Sequence, residues 1–370
     1  MKNQSSASMR QSSIELLRIL AAFGVIIQHF NNPRIGGAIR AIIPGSAKGI
    51  ILGFLQVSLI CAVNLYVLIS GYFMRDMKKR DLLKPVKLIS MLFIFEFLFY
   101  CAQELFQGKP FDWSVLLQYY IPNYWFIFIY IALYLISPYI NLMWKNLSRR
   151  NRKILLILSM ALFSFYPIIS EFVGMLIGNN LQGTSAIALE GSQFGYTIVN
   201  FVLMYLIGCA LRDRKEEPEH KDMKPAAIIL LLFLNISVLL GWMLAENTLI
   251  PKDPSTLAIA YRYQNPLVIS EAVLYFMLFS QMKLKNSRIL NSLAAASFPS
   301  YIIHINLFRY CKIEQVGQES VGLMLVHVFG CFAAIYLISW ILYNLYVLVT
   351  RPLFALVDRK WTRKRIYSVE

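Results

Sequence analysis

The sequence predicts an all-α fold, a polytopic membrane helical bundle of about ten transmembrane helices with both termini cytoplasmic. Three observations carry that expectation. Hydrophobic residues fill 58% of the 370 positions and charged residues only 15%, too little charge for a water-soluble domain of this length. Apolar runs of about 18–20 residues recur along the chain, each enough to cross roughly 30 Å of hydrocarbon at 1.5 Å per residue. Finally, 27 of the 36 Lys and Arg residues fall on one side when the runs are threaded alternately across a bilayer, as the positive-inside rule requires. The net charge of +16 is therefore a signature of topology and not of a nucleic-acid partner; the lipid bilayer is the partner it implies.

Taken in order, residues 1–12 are polar and Ser-rich and read as a disordered cytoplasmic N-terminus. Residues 13–349 form the transmembrane domain, and 350–370 a basic cytoplasmic tail. The first span, 13–30, is followed by Asn31-Asn32-Pro33-Arg34 in place of a small-residue cleavage site, so it reads as a retained helix and not a signal peptide. The second, 51–72, leads into the cytoplasmic loop "RDMKKRDLLKPVK", which carries Arg75, Lys78, Lys79, Arg80, Lys84 and Lys87. The third, 85–103, holds Glu96 at mid-span, where an acid without a partner is costly. The fourth and fifth, 124–143 and 154–173, flank a basic turn, and Glu171 sits at the outer end of the fifth. The sixth, 197–211, runs into "RDRKEEPEHKDMK", a solvated linker of mixed sign. The seventh and eighth are 225–245 and 266–282, with Glu271 in the eighth. The ninth, 290–308, carries His304, and the tenth, 321–349, begins near His327 in a row with Gly330 and Ala334 that suits close helix packing. Three longer outer segments, 104–123, 174–196 and 246–265, are the loops that a rigid scaffold uses for binding. The five cysteines lie in or beside apolar runs with no CxxC pairing, which indicates neither a disulfide framework nor a zinc site.

Chemistry concentrates on the first span. Arg18 and His29 are 11 residues apart, three helical turns, so they share a face about 16 Å apart along the axis. With Glu15, Ala22 and Val25 they form one stripe, a cation toward the inside and an imidazole toward the outside, with small residues between them. A structural Glu15–Arg18 ion pair and an interfacial His29 bonded to Asn31 or a loop carbonyl are the plainer alternatives. His304 reaches the same outer layer, and Ser297, Ser300 and His304 make a polar stripe directed at neighbouring helices.

Four stretches in order, "IELLRILAAFGVIIQH", "NLYVLISGYFMR", "NYWFIFIYIALYLISPYIN" and "SYIIHINLF", resemble the membrane acyltransferase-3 family of bacterial O-acyltransferases. The resemblance implies catalysis by His29 and handling of an acyl-coenzyme A donor, acetyl-CoA by default, by Arg18. The acceptor it implies is a hydroxyl of a cell-surface or lipid-linked glycan, and the location the bacterial cytoplasmic membrane. Two departures stand out. Lys84-x-x-Lys87 occupies the place of the family's Arg-x-x-Arg, and Ile305-Asn306 follows His304 where many members have Glu.

Together these readings make His29 a general base, with His304 and Glu96 as further catalytic candidates. Arg18, Arg75, Lys79, Arg80, Lys84 and Lys87 form the donor-binding set. Glu171 and Glu271 are alternatives to Glu96 for orienting the imidazole, and Glu96 reads equally well as a structural partner of Arg18 or of a tyrosine hydroxyl. No metal is expected, since the histidines lack clustered carboxylates. Transfer within a ternary complex and transfer through acyl-His29 both remain open. So do two other functions: a proton-coupled secondary transporter using intramembrane Arg, Glu and His, and a non-catalytic binding relative of the family.

Overall fold

The computed structural model describes residues 11–43, 45–108, 110–120, 124–178, 193–249, 258–361 and 366–368. It is helical almost throughout. The first span is α1 (Ser12–Asn31), and the second is split into α2 (Ala47–Val57) and α3 (Ala62–Met74). After a short strand β1 (Lys79–Asp81) come α4 (Leu83–Gln107), α5 (Trp113–Tyr120) and α6 (Trp125–Asn146). Next are α7 (Arg149–Met160) and α8 (Tyr166–Leu176), continuous through a π-helical turn at Ala161–Phe165. Then follow α9 (Ile198–Lys215), α10 (Pro225–Leu249) and α11 (Pro266–Gln281). The ninth span is a pair, α12 (Arg288–Ala294) and α13 (Ser297–Phe308). The chain closes with α14 (Val321–Trp361) and β2 (Ile366–Ser368).

Each expected span coincides with a helix or helix pair, and seven of these segments are long and apolar enough to cross a membrane. Large apolar side chains stand exposed along α10 (Leu230, Phe233, Leu234) and α14 (Val326, Leu345, Leu348). Water would not tolerate such faces, and lipid does. The chain is a multi-pass membrane protein.

Three spans differ from continuous helices, for local reasons. Pro299 has no N–H for the carbonyl of residue 295 and its ring crowds that carbonyl, so the ninth span breaks just before α13. Pro167 has the same effect on residue 163, where the π-helical turn absorbs it. The break at 58–61 has no such residue. There the carbonyls are taken by neighbours instead: Tyr275 Oη donates to Ser58 O at 2.8 Å, and Gln28 Nε2 donates to Gln56 O at 2.8 Å.

The core is built around α1 and α3. Helix α1 packs on α3, α11, α12, α13 and α14, and α3 lies tightest against α9. Gly71 and Gly208 permit that approach, because a Cβ would stand 2.1 Å from Tyr205 O at the first and 2.3 Å from Leu68 O at the second. Asn64 ties α3 to its neighbours, donating to Tyr263 O (2.8 Å) and accepting from Asn200 Nδ2 (3.2 Å). Beyond the last helix, β2 returns to pair antiparallel with β1, Lys79 opposite Ser368. Within the tail expected at 350–370, the chain is helical as far as Trp361, and Ile366–Ser368 belong to a ribbon.

Candidate active site

Helix α1 carries His29 in its last turn and ends at Asn31, two residues before Pro33. The chain then folds straight back, Gly36 N–H donating to His29 O at 2.9 Å. Only glycine fits there, since a Cβ at Gly36 would lie 2.3 Å from Phe30 O. This tight turn packs the chain against the end of α1, which lies beside α13.

Across that contact His29 Nδ1 stands 2.5 Å from His304 Nε2, with the rings nearly parallel at 10° and centroids 4.7 Å apart. The other nitrogen of His304, Nδ1, lies 3.0 Å from Ser300 O. A carbonyl only accepts, so Nδ1 of His304 carries the hydrogen. In the neutral pair its Nε2 is then an acceptor, His29 Nδ1–H must be the donor, and His29 Nε2 is left with a lone pair. His304 is fully buried, whereas His29 is only half-buried. The arrangement yields one oriented base on the more accessible ring.

Below the pair runs a cavity of about 230 Å³. It is lined on α1 by Arg18, Ala22 and Val25, on α3 by Tyr66 and Ser70, and across from them by Lys84, Tyr130, Ser300 and Tyr301. Val25 and Ser300 lie four residues before His29 and His304, so the walls reach within one helical turn of the pair. The stripe read on α1 is a wall of this cavity. At the opposite end Arg18 Nη1 pairs with Glu15 Oε1 at 2.6 Å, and the Arg18 side chain keeps 34% exposure. A guanidinium has five donors, so this pair leaves capacity for an anion. Lys84 Nζ sits 4.6 Å over the Tyr134 ring and 5.8 Å over that of Tyr130.

The remaining donor-binding candidates are placed elsewhere. Arg80 is buried, donating from Nε to Ser137 Oγ (2.9 Å) and from Nη1 to Met77 O (3.1 Å) and Lys79 O (3.0 Å). It anchors the loop onto α6. Arg75 bonds Asp76, Asp213 and Glu216 at 2.8, 2.6 and 2.6 Å in a separate pocket of about 310 Å³. Lys79 is exposed on β1, and Lys87 Nζ stands 5.3 Å over the Phe354 ring. Arg18 and Lys84 are the two members of the set that share the cavity.

The carboxylates also sort themselves. Glu96 accepts from Tyr124 Oη and from Asn306 Nδ2 (3.1 Å) and bonds to neither histidine. Glu171 pairs with Arg262 at 2.9 Å. Glu271 is fully buried on α11, beside the Cys61 thiol and away from both histidines. His327 is engaged at both nitrogens, with Glu319 Oε1 (2.7 Å) and Cys311 O (2.5 Å). Gly330 and Ala334 are exposed, and nothing among the described residues stands within 4 Å of a Cβ built on Gly330, so beyond His327 the row is not a packing seam. Sequence reasoning did not single out Tyr130, Tyr301 or Tyr124 by position, and met Asn306 only as a departure from the family pattern. Polar groups inside predicted spans were the available signal.

In comparison with known proteins, residues 11–344 match the model of a family described as "Acyltransferase domain". No curated protein matches the chain, and no solved structure does.

Proposed function

This chain belongs to that acyltransferase family, and from that premise we propose that it is an integral-membrane O-acyltransferase. It takes an acyl group, acetyl by default, from cytoplasmic acyl-CoA to a hydroxyl of a cell-surface or lipid-linked glycan at the bacterial cytoplasmic membrane. One observation carries the reading: an oriented His29–His304 pair stands one turn beyond a cavity whose far end holds Arg18 and Lys84. A coenzyme A thioester is a polyanion on a long thin arm. Its phosphates suit the guanidinium and ammonium at one end, by charge-assisted hydrogen bonding, while the arm lies along Ala22 and Val25.

In this reading His29 Nε2 removes the proton of the acceptor hydroxyl as the oxygen attacks the thioester carbonyl. The new C–O bond forms, the C–S bond breaks, and the departing thiolate takes the proton back from His29. The His29 Nδ1–H bond to His304 Nε2 keeps the ring in the tautomer the first step needs.

The test is transfer of label from radiolabelled acetyl-CoA to glycan in membranes, at matched expression. His29→Ala is expected to lower the rate by about 10²–10⁴-fold, and Arg18→Ala to raise the donor KM. Wild-type rates with His29→Ala would overturn the assignment of the base.

A further inference from the structure

We propose that Glu96, with Tyr124 and Asn306, is a positioning residue that clamps the helix of His304 from behind. The inference rests on the reading of His29 and His304 as the working pair. On α13, residues 302 and 306 are four apart and share one face, whereas His304 lies two positions from each, on roughly the opposite side at 100° per residue. His304 points toward α1 and meets His29. Helix α4 packs against α13 as well, and from it Glu96 holds the residues flanking His304.

The contacts are specific. Asn306 Nδ2 donates to Glu96 Oε1 at 3.1 Å. The Tyr124 hydroxyl donates to the same oxygen and stands 3.3 Å from Ile302 O. One carboxylate oxygen therefore gathers a side chain of α13 and a tyrosine that itself touches the α13 backbone. Glu96, Tyr124 and Asn306 are only 2%, 6% and 8% exposed, so water does not substitute for these bonds. The sequence left Glu96 either orienting an imidazole directly or pairing structurally with Arg18 or a tyrosine hydroxyl, and the tyrosine is Tyr124. The geometry assigns it a task one step removed, fixing the helix whose other face carries His304. That step matters because a misplacement of about 1 Å at catalytic groups costs about 10²-fold in rate.

The role predicts a requirement for an acceptor oxygen and not for a negative charge. Acyl transfer from acetyl-CoA in membranes, with the donor titrated, tests it using Glu96→Ala, Glu96→Gln, His304→Ala and the double variant Glu96→Ala/His304→Ala. Glu96→Ala is expected to lower kcat about 10–100-fold with the donor KM unchanged. Glu96→Gln, whose amide oxygen still accepts from both partners, recovers most of that loss. In the His304→Ala background the penalty of Glu96→Ala disappears. Asn306→Ala, which removes one bond and leaves Glu96 in place, carries the same comparison should Glu96→Ala fail to accumulate. A Glu96→Gln enzyme as slow as Glu96→Ala would overturn the clamp, and so would an undiminished penalty in the His304→Ala background. If His304→Ala itself turns over like wild type, the histidine reading falls first, a result visible without any Glu96 variant.

Discussion

Replacing His304 with alanine isolates the feature on which the proposed chemistry turns. In the folded protein the Nδ1–H of His29 has one acceptor, His304 Nε2 at 2.5 Å. Removing it frees the ring to rotate and to exchange tautomers, and the hydrogen can then occupy the nitrogen that must take the proton. Two bounds on the cost follow. Loss of orientation alone, a displacement of about 1 Å, is worth about 10²-fold. An imidazole held in the wrong tautomer costs about 10⁴-fold in the serine proteases, where a buried partner fixes the ring in the same way. The expected loss in kcat is therefore about 10²–10⁴-fold, or roughly 2.7–5.4 kcal/mol of transition-state stabilisation. The donor KM should move little, because the cavity proposed to receive the donor is lined by Arg18 and Lys84 and not by His304. Initial rates of acetyl transfer in membranes, normalised to the amount of folded protein, measure it. His304→Gln, whose side-chain oxygen can accept from His29, should fall between alanine and wild type. A His304→Ala rate within about threefold of wild type, well short of the 10²-fold bound, would refute the reasoning and leave the 2.5 Å contact as packing.

Gly71→Ala forces a methyl to within 2.1 Å of the main-chain oxygen of Tyr205; the cost should match or exceed the usual 1–3 kcal/mol of overpacking, about. A clear fall in melting temperature in detergent checks it, against Gly241→Ala as control, where a Cβ meets nothing within 4 Å. The ion-pair network of Arg75, Arg212 and Glu216 predicts a pH effect. Burial pushes the Glu216 carboxyl up, but bonds from Arg75 and Arg212, each 2.6 Å, outweigh it and hold the group below its ordinary value of 4.5. A depressed carboxylate contributes stability above its unfolded-state value and loses it as pH falls through the folded one. Acidification below pH 4.5 should therefore lower the melting temperature less in Glu216→Gln than in wild type, and parallel curves would refute the assignment.

The stripe of Arg18, Ala22, Val25 and His29 was legible because it is local: helical periodicity alone puts those residues on one face. The positions of the ten helical segments were legible for the same reason, apolar length being a local property. What joins distant segments was not. Nothing in either neighbourhood says that His29 will meet a residue 275 positions later, or that Asn306 will find Glu96. The basic loop shows the limit from the other side. Six cations look alike in sequence, yet Arg80 is buried against Ser137 and main-chain carbonyls and Arg75 is held by three carboxylates, while Lys84 reaches the cavity. Charge predicted which face the loop lies on, and packing decided which charges were available. Of the two helix breaks, the one before α13 had a visible cause in Pro299, while that at 58–61 depends on Gln28 and Tyr275 reaching in from other helices.

The ribbon of β1 and β2 sets an order of events during synthesis. Strand β1 is made early, and the residues it pairs with, Ile366–Ser368, come about 285 positions later. At about 5–20 residues per second the first strand waits roughly 15–60 s for its partner. Arg80 can seat against α6 in that interval, because Tyr134 and Ser137 follow within 60 residues. The pairing itself cannot begin until the ribosome has passed Ser368. A bulky reporter fused directly after that residue would stand beside Lys79 at the end of the ribbon, so a fusion meant to leave the pairing intact needs a spacer.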